Sequence, residues 1–440
     1  MASYTPFLSH SVNIFDRPEK QIGFKDGFDH IIRPNTLQNN SIEFRLEPDQ
    51  LHYLKPDQTL IYCKFKVQKR GGGQLAGTEN VAPVNFFPAA LFSSCEVYCN
   101  DVRITGASAN SLPYKRYLET VSSYGVDARE SHLQLSLFHM DTPGNFEPTD
   151  ANTGFGTRKD WIKASKSCEF IYWLQLDILN TDKLYPNGMK LKFVFERNVP
   201  EWCLLEKAPD PPTPPAAGQT AKPTPPPINY EIVIEEMHMQ MRKIALADNL
   251  LLDHEREFAR QRSAIYPYTN SILKKFTIQK GQTTEYLPAV ITGKLPTQIL
   301  LVMNETAADL GDIRKNPFHF QHFNLTRAGL SVDGQLKKEY RCDFANDQFD
   351  ELLAAYYQNV SIHNSNSGVL INKEYFKGGA TILSWNLSGD KSTYMVTKNG
   401  TVDIDLEFGQ ALTCGVTVLV LALFDDVLSI DPQRYITIQQ

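Results

Sequence analysis

The sequence predicts an all-β fold made of two tandem β-sandwiches, and three observations lead to this prediction. The chain has 440 residues, which is more than one hydrophobic core usually supports, so two domains or one large β architecture are expected. Segments in which apolar and polar residues alternate dominate the chain, whereas helical periodicity is confined to a few short stretches. The order of these segments occurs twice, which indicates two similar units.

The composition is typical of a soluble globular protein, with 42% hydrophobic and 21% charged residues. The net charge of −6 argues against tight, sequence-independent nucleic-acid binding, because such binding needs a basic surface. The longest apolar stretch, residues 416–424, is about half as long as a transmembrane helix. The N-terminus has no basic segment followed by an apolar run, so we expect no signal peptide and synthesis in the cytosol.

Short helices are predicted where apolar residues recur at helical spacing. One contains Tyr117 and Leu118, another contains Leu352 and Leu353, and we expect these four side chains in the core. A third helix is predicted from about Asp248, a suitable N-cap residue, to residue 262, at the junction of the two units.

The two halves of the chain correspond segment by segment. The matched pairs are residues 44–46 with 276–278, 59–61 with 297–299, 97–101 with 330–334, the helix of Tyr117 with that of Leu352, Trp173 with Trp385, and 189–195 with 402–408. A common order that includes a helix at the same place is hard to obtain by chance. We therefore predict that Trp173 and Trp385 occupy equivalent, largely buried positions.

A proline-rich tract complicates the domain boundary. Residues 209–227 contain nine prolines, a composition typical of an interdomain linker. In the second unit, however, the strand at 402–408 is followed closely by one more strand at 416–424, and the first unit needs the same closing strand. Residues 230–241 supply it, so we predict that the tract is a surface loop inside the first unit.

These boundaries divide the chain into five parts. They are an N-terminal arm (1–38), a first sandwich (39–243) with a proline-rich surface loop (206–228), a connecting helix (244–263), a second sandwich (264–430) and a C-terminal tail (431–440). Roughly eight strands per unit suggest jelly rolls. Periodicity alone does not separate a jelly roll from other Greek-key sandwiches.

Several short segments of the sequence resemble segments found in the proteins of one known family. They are VAPVN (81–85), LFS (91–93), ND (100–101), YKRYLET (114–120), SYG (123–125), FTI (276–278), KNPF (315–318), FNL (323–325) and FDD (424–426). Together they resemble the major capsid proteins of Polinton/Maverick elements and adintoviruses. The resemblance covers roughly residues 40–430, and the block at 114–125 is its most specific part.

The resemblance implies a double jelly roll, related in architecture to adenovirus hexon, that forms homotrimers. Three chains of two similar domains make six similar wedges around a threefold axis, and such a capsomer can tile an icosahedral shell. The implied partners are other copies of the chain, neighbouring capsomers, the penton and minor capsid proteins, and the implied location is the virion. In such an assembly we expect the arm (1–38) and the loops 126–166 and 305–322 to cross between subunits.

Possible catalytic or metal-binding residues have a structural interpretation. His319 and His322 lack the helix and nearby glutamate of a metal-binding motif. Asp403 and Asp405 alternate with apolar residues, which is typical of the solvent face of a strand. The glycines at 71–73 lack the Lys-Ser/Thr of a phosphate-binding loop. We therefore expect no catalytic residue, no cofactor and no metal ion.

Two further interpretations are less favoured by the sequence. Arg256, Arg260 and Arg262 alternate with acidic residues on the third helix, as on a solvated helix face, so no specific nucleic-acid binding is expected. A tandem β-sandwich could also be a carbohydrate-binding or adhesin module. The missing secretion signal and seven cysteines without a disulfide-like pattern argue against this alternative, and the assembly state would distinguish the two.

Overall fold

The structure is a computed structural model that describes residues 21–37, 39–105, 111–208, 229–360, 367–388 and 398–439. Most of the predicted proline-rich loop (206–228) lies outside the described residues. The segments that flank it are described: the strand Leu204–Glu206 before it pairs with Val81–Pro83 in a small two-stranded sheet, and the strand Tyr230–Leu246 after it belongs to the first sandwich.

Strands form the framework of the molecule. In chain order they are β1 (Phe24–Ile32), β2 (Ser41–Leu46), β3 (His52–Lys69), β4 (Val81–Pro83), β5 (Phe92–Cys99), β6 (Val102–Arg103), β7 (Cys168–Trp173), β8 (Leu191–Arg197), β9 (Leu204–Glu206), β10 (Tyr230–Leu246), β11 (Ala264–Ile278), β12 (Thr284–Lys294), β13 (Gln298–Glu305), β14 (Leu325–Val332), β15 (Gln335–Arg341), β16 (Leu383–Asn386), β17 (Asn399–Phe408), β18 (Val416–Ile430) and β19 (Ile436–Gln439).

Short helices lie mainly in the connections between strands. They are α1 (Phe87–Ala90), α2 (Ser111–Ser123), α3 (Val126–Arg129), α4 (Thr153–Ile162), α5 (Pro200–Cys203), α6 (Asp248–Ala259), α7 (Thr306–Asp309), α8 (Asp350–Asn359) and α9 (Lys373–Gly378), with 3₁₀ turns at His132–Ser136, Lys163–Ser165 and Asp177–Leu179.

The strands form two sandwiches with the same connectivity. In the first, the sheets have the orders β1-β10-β3-β7 and β2-β8-β5-β6; in the second, the orders are β11-β18-β13-β16 and β12-β17-β14-β15. Each strand of the first sandwich thus has a counterpart at the same place in the second. Two facing sheets with four strands each in this order form a jelly roll; β19 adds a fifth strand beside β18 in the second sandwich. The predicted all-β double jelly roll is confirmed.

The hairpin that joins β5 to β6 recurs between β14 and β15. Asn100 and Asp101 have φ values of 47° and 67°, and Asp333 and Gly334 have values of 51° and 73°. Two consecutive residues with positive φ form the two-residue turn that suits the twist of a hairpin, and Asn, Asp and Gly tolerate this conformation best. The predicted match of residues 97–101 with 330–334 is therefore confirmed.

Another pair in the predicted repeat is wrong. Residues 276–278 lie at the end of β11, which corresponds to β1, whereas residues 44–46 lie in β2, whose counterpart is β12. Both segments have an apolar–polar–apolar pattern. Because this pattern marks any half-buried strand, three residues do not identify which strand they belong to.

Both predicted termini contribute strands. Within the predicted arm (1–38), β1 pairs with β10 from Phe24 opposite Leu246 to Ile32 opposite Met239. Within the predicted tail (431–440), β19 pairs with the end of β18. β1 was missed because it is an edge strand on which only Ile32 is buried, so the apolar alternation that marks a covered strand is absent.

The connecting segment also differs from its predicted bounds of 244–263. β10 continues to Leu246, and α6 begins at Asp248, with Ala247 at the N-cap position. Asp248 is therefore the first helical residue. Its carboxylate accepts a hydrogen bond from Lys25 Nζ at 2.5 Å, and an acidic residue in the first turn suits the helix dipole.

The two jelly rolls pack against each other through named contacts. The Tyr117 ring of α2 stacks on Phe318 with centroids 4.3 Å apart, and Tyr356 of α8 donates a hydrogen bond to the carbonyl of Val121 in α2. Buried Asn316 donates to Asp141 at 2.9 Å. The loops 126–166 and 305–322, predicted to cross between subunits, thus meet each other within one chain.

The C-terminal segment closes the same junction. Arg434 lies over the Phe258 ring of α6 at 4.0 Å and donates to Glu255 at 2.7 Å and to the carbonyl of Asn187 at 2.8 Å. Its own carbonyl accepts a hydrogen bond from Asn100 at 2.9 Å. One residue therefore connects the segment before β19 with α6 and two loops of the first jelly roll.

Candidate functional site

A face of the second jelly roll that points away from its own core is nevertheless buried. On β13, Leu300, Val302 and Asn304 alternate with the core residues, and their side chains have 3%, 0% and 0% exposure. Asn304 Nδ2 donates a hydrogen bond to the hydroxyl of Tyr114 in α2 at 2.8 Å. The first jelly roll therefore covers this face, and we call it the covered face.

Tyr114 of the first jelly roll makes hydrogen bonds to two residues of the second, at the covered face. Its hydroxyl donates to Asp309 at 3.0 Å, and Lys275 Nζ reaches the same carboxylate at 2.7 Å. Complete burial, followed by the nearby Asp309 charge, raises the pKa of Tyr114 well above its usual range. The phenol therefore stays neutral and serves as a hydrogen-bond donor and acceptor between the two jelly rolls.

Strand pairing identifies the equivalent face of the first jelly roll. Ile61 of β3 pairs with Met239 and Tyr172, as Ile299 of β13 pairs with Ala422 and Trp385. This register makes Tyr62, Lys64 and Lys66 the counterparts of Leu300, Val302 and Asn304. We call this surface the open face; its residues are Leu60, Tyr62, Lys64, Lys66, Glu169, Ile171, Trp173, Val233, His238 and Gln240.

Among the described residues the open face is only partly covered: the segment around His132 contacts Trp173 at one edge, and the rest remains accessible. Three side chains of the open face on β3 are half-buried: Tyr62, Lys64 and Lys66. The residues that alternate with them, such as Ile61 and Phe65, point into the core and are fully buried. The two jelly rolls thus present the same sheet surface in two states. The covered face is mainly apolar and buried, whereas the open face is mixed in polarity and accessible.

Trp173 belongs to the open face, which corrects the prediction that it is a core residue equivalent to Trp385. Trp173 pairs with Leu60, and its neighbour Tyr172 pairs with Ile61, so Tyr172 is the counterpart of Trp385. Tyr172 is 2% exposed and Trp385 is 1% exposed, whereas Trp173 is half-buried. A shift of one residue along a strand moves a side chain to the opposite face of the sheet.

The other predicted core residues lie in the interior. Tyr117 and Leu118 of α2 and Leu352 of α8 have at most 1% exposure, and Leu353 has 6%. Trp385 contacts Tyr340 of the facing sheet, with ring centroids 5.7 Å apart. Full burial of such side chains contributes roughly 1.5–3 kcal/mol each.

The indole of Trp173 stands at the edge of a shallow cavity. The cavity measures about 220 Å³, and Tyr124, His132 and Gln175 also line it. The His132 ring lies edge-on to Trp173 with centroids 6.4 Å apart, and Tyr124 lies edge-on to His132 at 5.5 Å. This group supplies an aromatic surface of the kind that anchors protein–protein interfaces.

The charges of the open face are matched across neighbouring strands. Lys64 and Lys66 lie 3.9 Å and 3.6 Å from the Glu235 carboxylate. The Tyr62 hydroxyl donates to Glu169 at 2.9 Å, which raises the pKa of Tyr62 to about 12. The Tyr62 ring also stacks on His238 at 4.8 Å. The two lysines share one carboxylate, and Glu169 supplies a second negative charge on the same face, so the four charges balance in sum and covering this face adds no net charge to an interface.

The histidines considered for chemistry have structural contacts instead. His319 Nδ1 lies 2.9 Å from Glu147, which connects the two jelly rolls. His322 stacks on Phe344 with centroids 4.1 Å apart, and burial lowers its pKa to about 4, with a smaller contribution from the Lys377 charge.

The acidic residues of β17 and the basic residues of α6 are likewise engaged. Asp405 and Glu407 both pair with Arg327, and Asp403 accepts a hydrogen bond from the backbone of Ala289. On α6, Arg256 pairs with Asp253, and Arg260 and Arg262 pair with Glu257. Within the described ranges, no group of three or more His, Cys, Asp or Glu residues is placed to hold a metal ion.

The helices of the described part of the chain are all too short or too polar to cross a membrane. The cysteines at 63, 95, 99, 168, 203, 342 and 414 are free thiols. Burial raises the pKa of Cys342 to about 12, so this thiol is protonated at neutral pH and poorly nucleophilic.

Solved structures share the fold over nearly the whole chain. A chain in the 3.5 Å cryo-EM structure of the Sputnik virophage has a TM-score of 0.67 at 11% identity and covers 99% of this chain and 93% of its own length. The Faustovirus major capsid protein has a TM-score of 0.55 at 9% identity, covering 94% and 92%. The mavirus major capsid protein has a TM-score of 0.50 at 10% identity, covering 100% and 96%.

At these identities the likeness establishes the double jelly-roll fold alone. No protein family and no curated protein sequence gives a significant match to the chain. Function depends on sites rather than on the fold, so the covered and open faces carry the functional conclusion.

Proposed function

We propose that this chain is a major capsid protein whose homotrimers form pseudo-hexameric capsomers, which tile an icosahedral virus-like shell. The observation that carries the proposal is the pair of equivalent sheet faces. One is buried by the other jelly roll of the same chain, whereas its counterpart, the open face, is only half-buried by the described residues.

A cyclic trimer would provide the missing cover. Within one chain, the first jelly roll packs on the covered face of the second. If the second jelly roll of the next chain packs on the open face of the first, six similar contacts close a ring around a threefold axis. The polarity of the open face suits this role, since surfaces that join separately folded chains are more polar than a domain core.

The resemblance to capsid proteins of Polinton/Maverick elements and adintoviruses supports the same function. So do the structural neighbours that are themselves viral major capsid proteins. On this proposal the protein resides in the virion after synthesis in the host cytosol, and its partners are neighbouring capsomers, the penton and minor capsid proteins. No cofactor is required, and no described feature favours the carbohydrate-binding alternative.

Mass photometry of the purified full-length chain tests the proposed assembly. We expect one main species of three times the chain mass of 49.8 kDa, stable from micromolar to nanomolar concentration because a large interface dissociates slowly. A monomer over that whole range, with no particles at higher concentration, would contradict the proposal.

A further inference from the structure

An apolar groove runs beneath α6 at the junction of the two jelly rolls. It has a volume of about 640 Å³, which is within the range of sites that hold a drug-sized ligand or several side chains. We call it the α6 groove; its apolar lining consists of Phe24, Tyr53, Leu184, Leu246, Leu250, Phe258, Ile265 and Tyr266.

The ionisable side chains at the rim have partners in the chain. Lys183 Nζ donates to the carbonyl of Ile265 at 3.0 Å, Tyr53 and His254 share a hydrogen bond of 3.1 Å, and Arg262 pairs with Glu257 at 2.5 Å. The rim therefore presents satisfied groups, and the free energy of binding would come from the apolar floor. This chemistry favours an apolar segment over a charged ligand.

Two apolar side chains of the groove floor are exposed to solvent in the structure. Phe24 is 51% exposed and Ile265 is 58% exposed, although both line the groove. Covering such side chains stabilises a protein by roughly 25 cal/mol per Å² of apolar surface. An occupant is therefore energetically favoured.

The described chain begins at the mouth of this groove. The Gly23 carbonyl accepts a hydrogen bond from the amide of Ala247 at 2.9 Å, and a Cβ at Gly23 would lie 3.6 Å from the Leu250 side chain. The twenty residues that precede Gln21 are thus tethered beside the apolar floor. A tether of this kind gives a segment a high effective concentration at a nearby site.

Those twenty residues have the composition of a suitable occupant. Their apolar side chains include Phe7, Leu8, Val12, Ile14 and Phe15, and their lysine and arginine are balanced by one aspartate and one glutamate. Phe15 precedes Gln21 by six residues, a distance that an extended chain spans with about 20 Å. Phe15 and Ile14 can therefore reach the groove of their own chain.

We propose that the segment 7–15 of each chain docks in the α6 groove of the same chain, with Ile14 and Phe15 against the apolar floor. The docked segment covers Phe24 and Ile265 and joins the start of β1 to α6 and the start of β11. The proposal does not depend on the trimer, because it needs only one chain.

Site-specific photo-cross-linking of the full-length protein tests the proposal. The photoreactive residue p-benzoyl-phenylalanine replaces Phe15, and cross-linked peptides are identified by mass spectrometry after irradiation at nanomolar concentration. We expect cross-links to the peptides that contain Leu250, Phe258 or Ile265, in a product of single-chain mass. Cross-links to these peptides in a product of two-chain mass, cross-links elsewhere, or none would overturn docking in the same chain.

Two variants, one in the groove and one outside it, test whether the cross-links depend on the groove floor. Ile265→Asp places a charge on the groove floor at a position that is 58% exposed, and it should reduce the groove cross-links about tenfold or more. Leu252→Asp changes a residue of α6 that is 56% exposed and does not line the groove, and it should leave the yield unchanged. Equal yields in all three proteins would overturn the proposal, whereas a failure of trimer assembly would leave the cross-linking result intact.

Discussion

Two tryptophans on equivalent strands have different surroundings, and this difference governs what their removal should do. Trp385 lies in the second core, whereas Trp173 lies on the open face of the first jelly roll. The residue that matches Trp385 in space is Tyr172. A tryptophan on an accessible sheet face beside two further aromatic rings is a strong candidate for an interface anchor.

We predict that Trp385→Ala lowers the stability of the folded chain, whereas Trp173→Ala weakens the association of subunits. Trp385→Ala should lower the free energy of unfolding by about 3–5 kcal/mol, because it leaves a cavity in a packed core. Trp173→Ala should leave the circular dichroism spectrum unchanged but weaken subunit association by about 2 kcal/mol or more.

Urea unfolding and mass photometry of both variants check this prediction. A Trp173→Ala protein that remains as fully trimeric as the wild type on dilution would remove Trp173 from the proposed interface. A Trp385→Ala protein of unchanged stability would contradict its placement in the core.

The sequence predicted burial for Trp173 because the pattern of β7 is ambiguous. In the segment CEFIYW, Phe170 and Tyr172 lie on one face, and Ile171 and Trp173 lie on the other. Both faces carry large apolar residues, so alternation does not identify the core side. The register is set by pairing with β3, which is a tertiary contact. Residues on helices, such as Tyr117 and Leu352, were predictable because polar neighbours define a single apolar stripe.

His322 should make stability depend on pH between about 6.5 and 4. Burial lowers its pKa from 6.5 to about 4, so the unfolded chain binds a proton in this range that the folded chain does not. Stability is therefore fully present above pH 6.5 and falls as the pH decreases towards 4. We predict that His322→Gln reduces this part of the pH dependence, as measured by urea unfolding at several pH values. An unchanged slope in the variant would show that His322 does not titrate as its burial implies.

At the scale of elements, the proline-rich tract joins neighbouring strand ends. Tyr230 at the start of β10 lies within hydrogen-bonding distance of Glu206 at the end of β9, with 3.3 Å between the Tyr hydroxyl and the carboxylate. A short connection can therefore replace the long one. The cost of loop closure changes slowly with loop length, and proline cannot contribute amide donors to a sheet.

We predict that replacing residues 209–227 with a short Gly/Ser link changes thermal stability little and preserves the oligomeric state. Differential scanning calorimetry and mass photometry of the deletion protein measure both properties. A large loss of stability, or of the trimer, would indicate that the tract packs against a folded surface. A second deletion of residues 230–241, which form most of β10, should abolish folding and serves as the contrasting control.

Two of the elements that sequence reasoning missed are edge strands. β1 and β19 lie beside a single partner strand, so fewer of their residues are buried and their apolar pattern is weak. Central strands such as β8 and β17, which have neighbours on both sides, alternate cleanly and were predicted. The strand order that defines the jelly roll also required the structure, because hydrogen-bond partners far apart in sequence leave no local pattern.

At the scale of the whole molecule, the two jelly rolls share one fold but differ in the surface that the equivalent sheet presents. In the proposed trimer, each jelly roll presents the same sheet to its neighbour. In the second jelly roll this sheet surface consists of Leu300, Val302 and Asn304, and in the first it consists of Tyr62, Lys64 and Lys66. The mainly apolar version is buried within the chain, and in the proposed trimer a second chain would cover the polar version. This division is the physical basis of the proposed capsomer.

The position of the open face in the assembled protein is the central claim, and a cryo-EM map of the purified oligomer tests it most directly. We predict a threefold ring of six jelly rolls in which the second jelly roll of one chain covers β3, β7 and β10 of the next. Trp173 and Tyr62 should then be buried between chains. A map in which the open face contacts solvent while the chains associate through another surface would contradict the account.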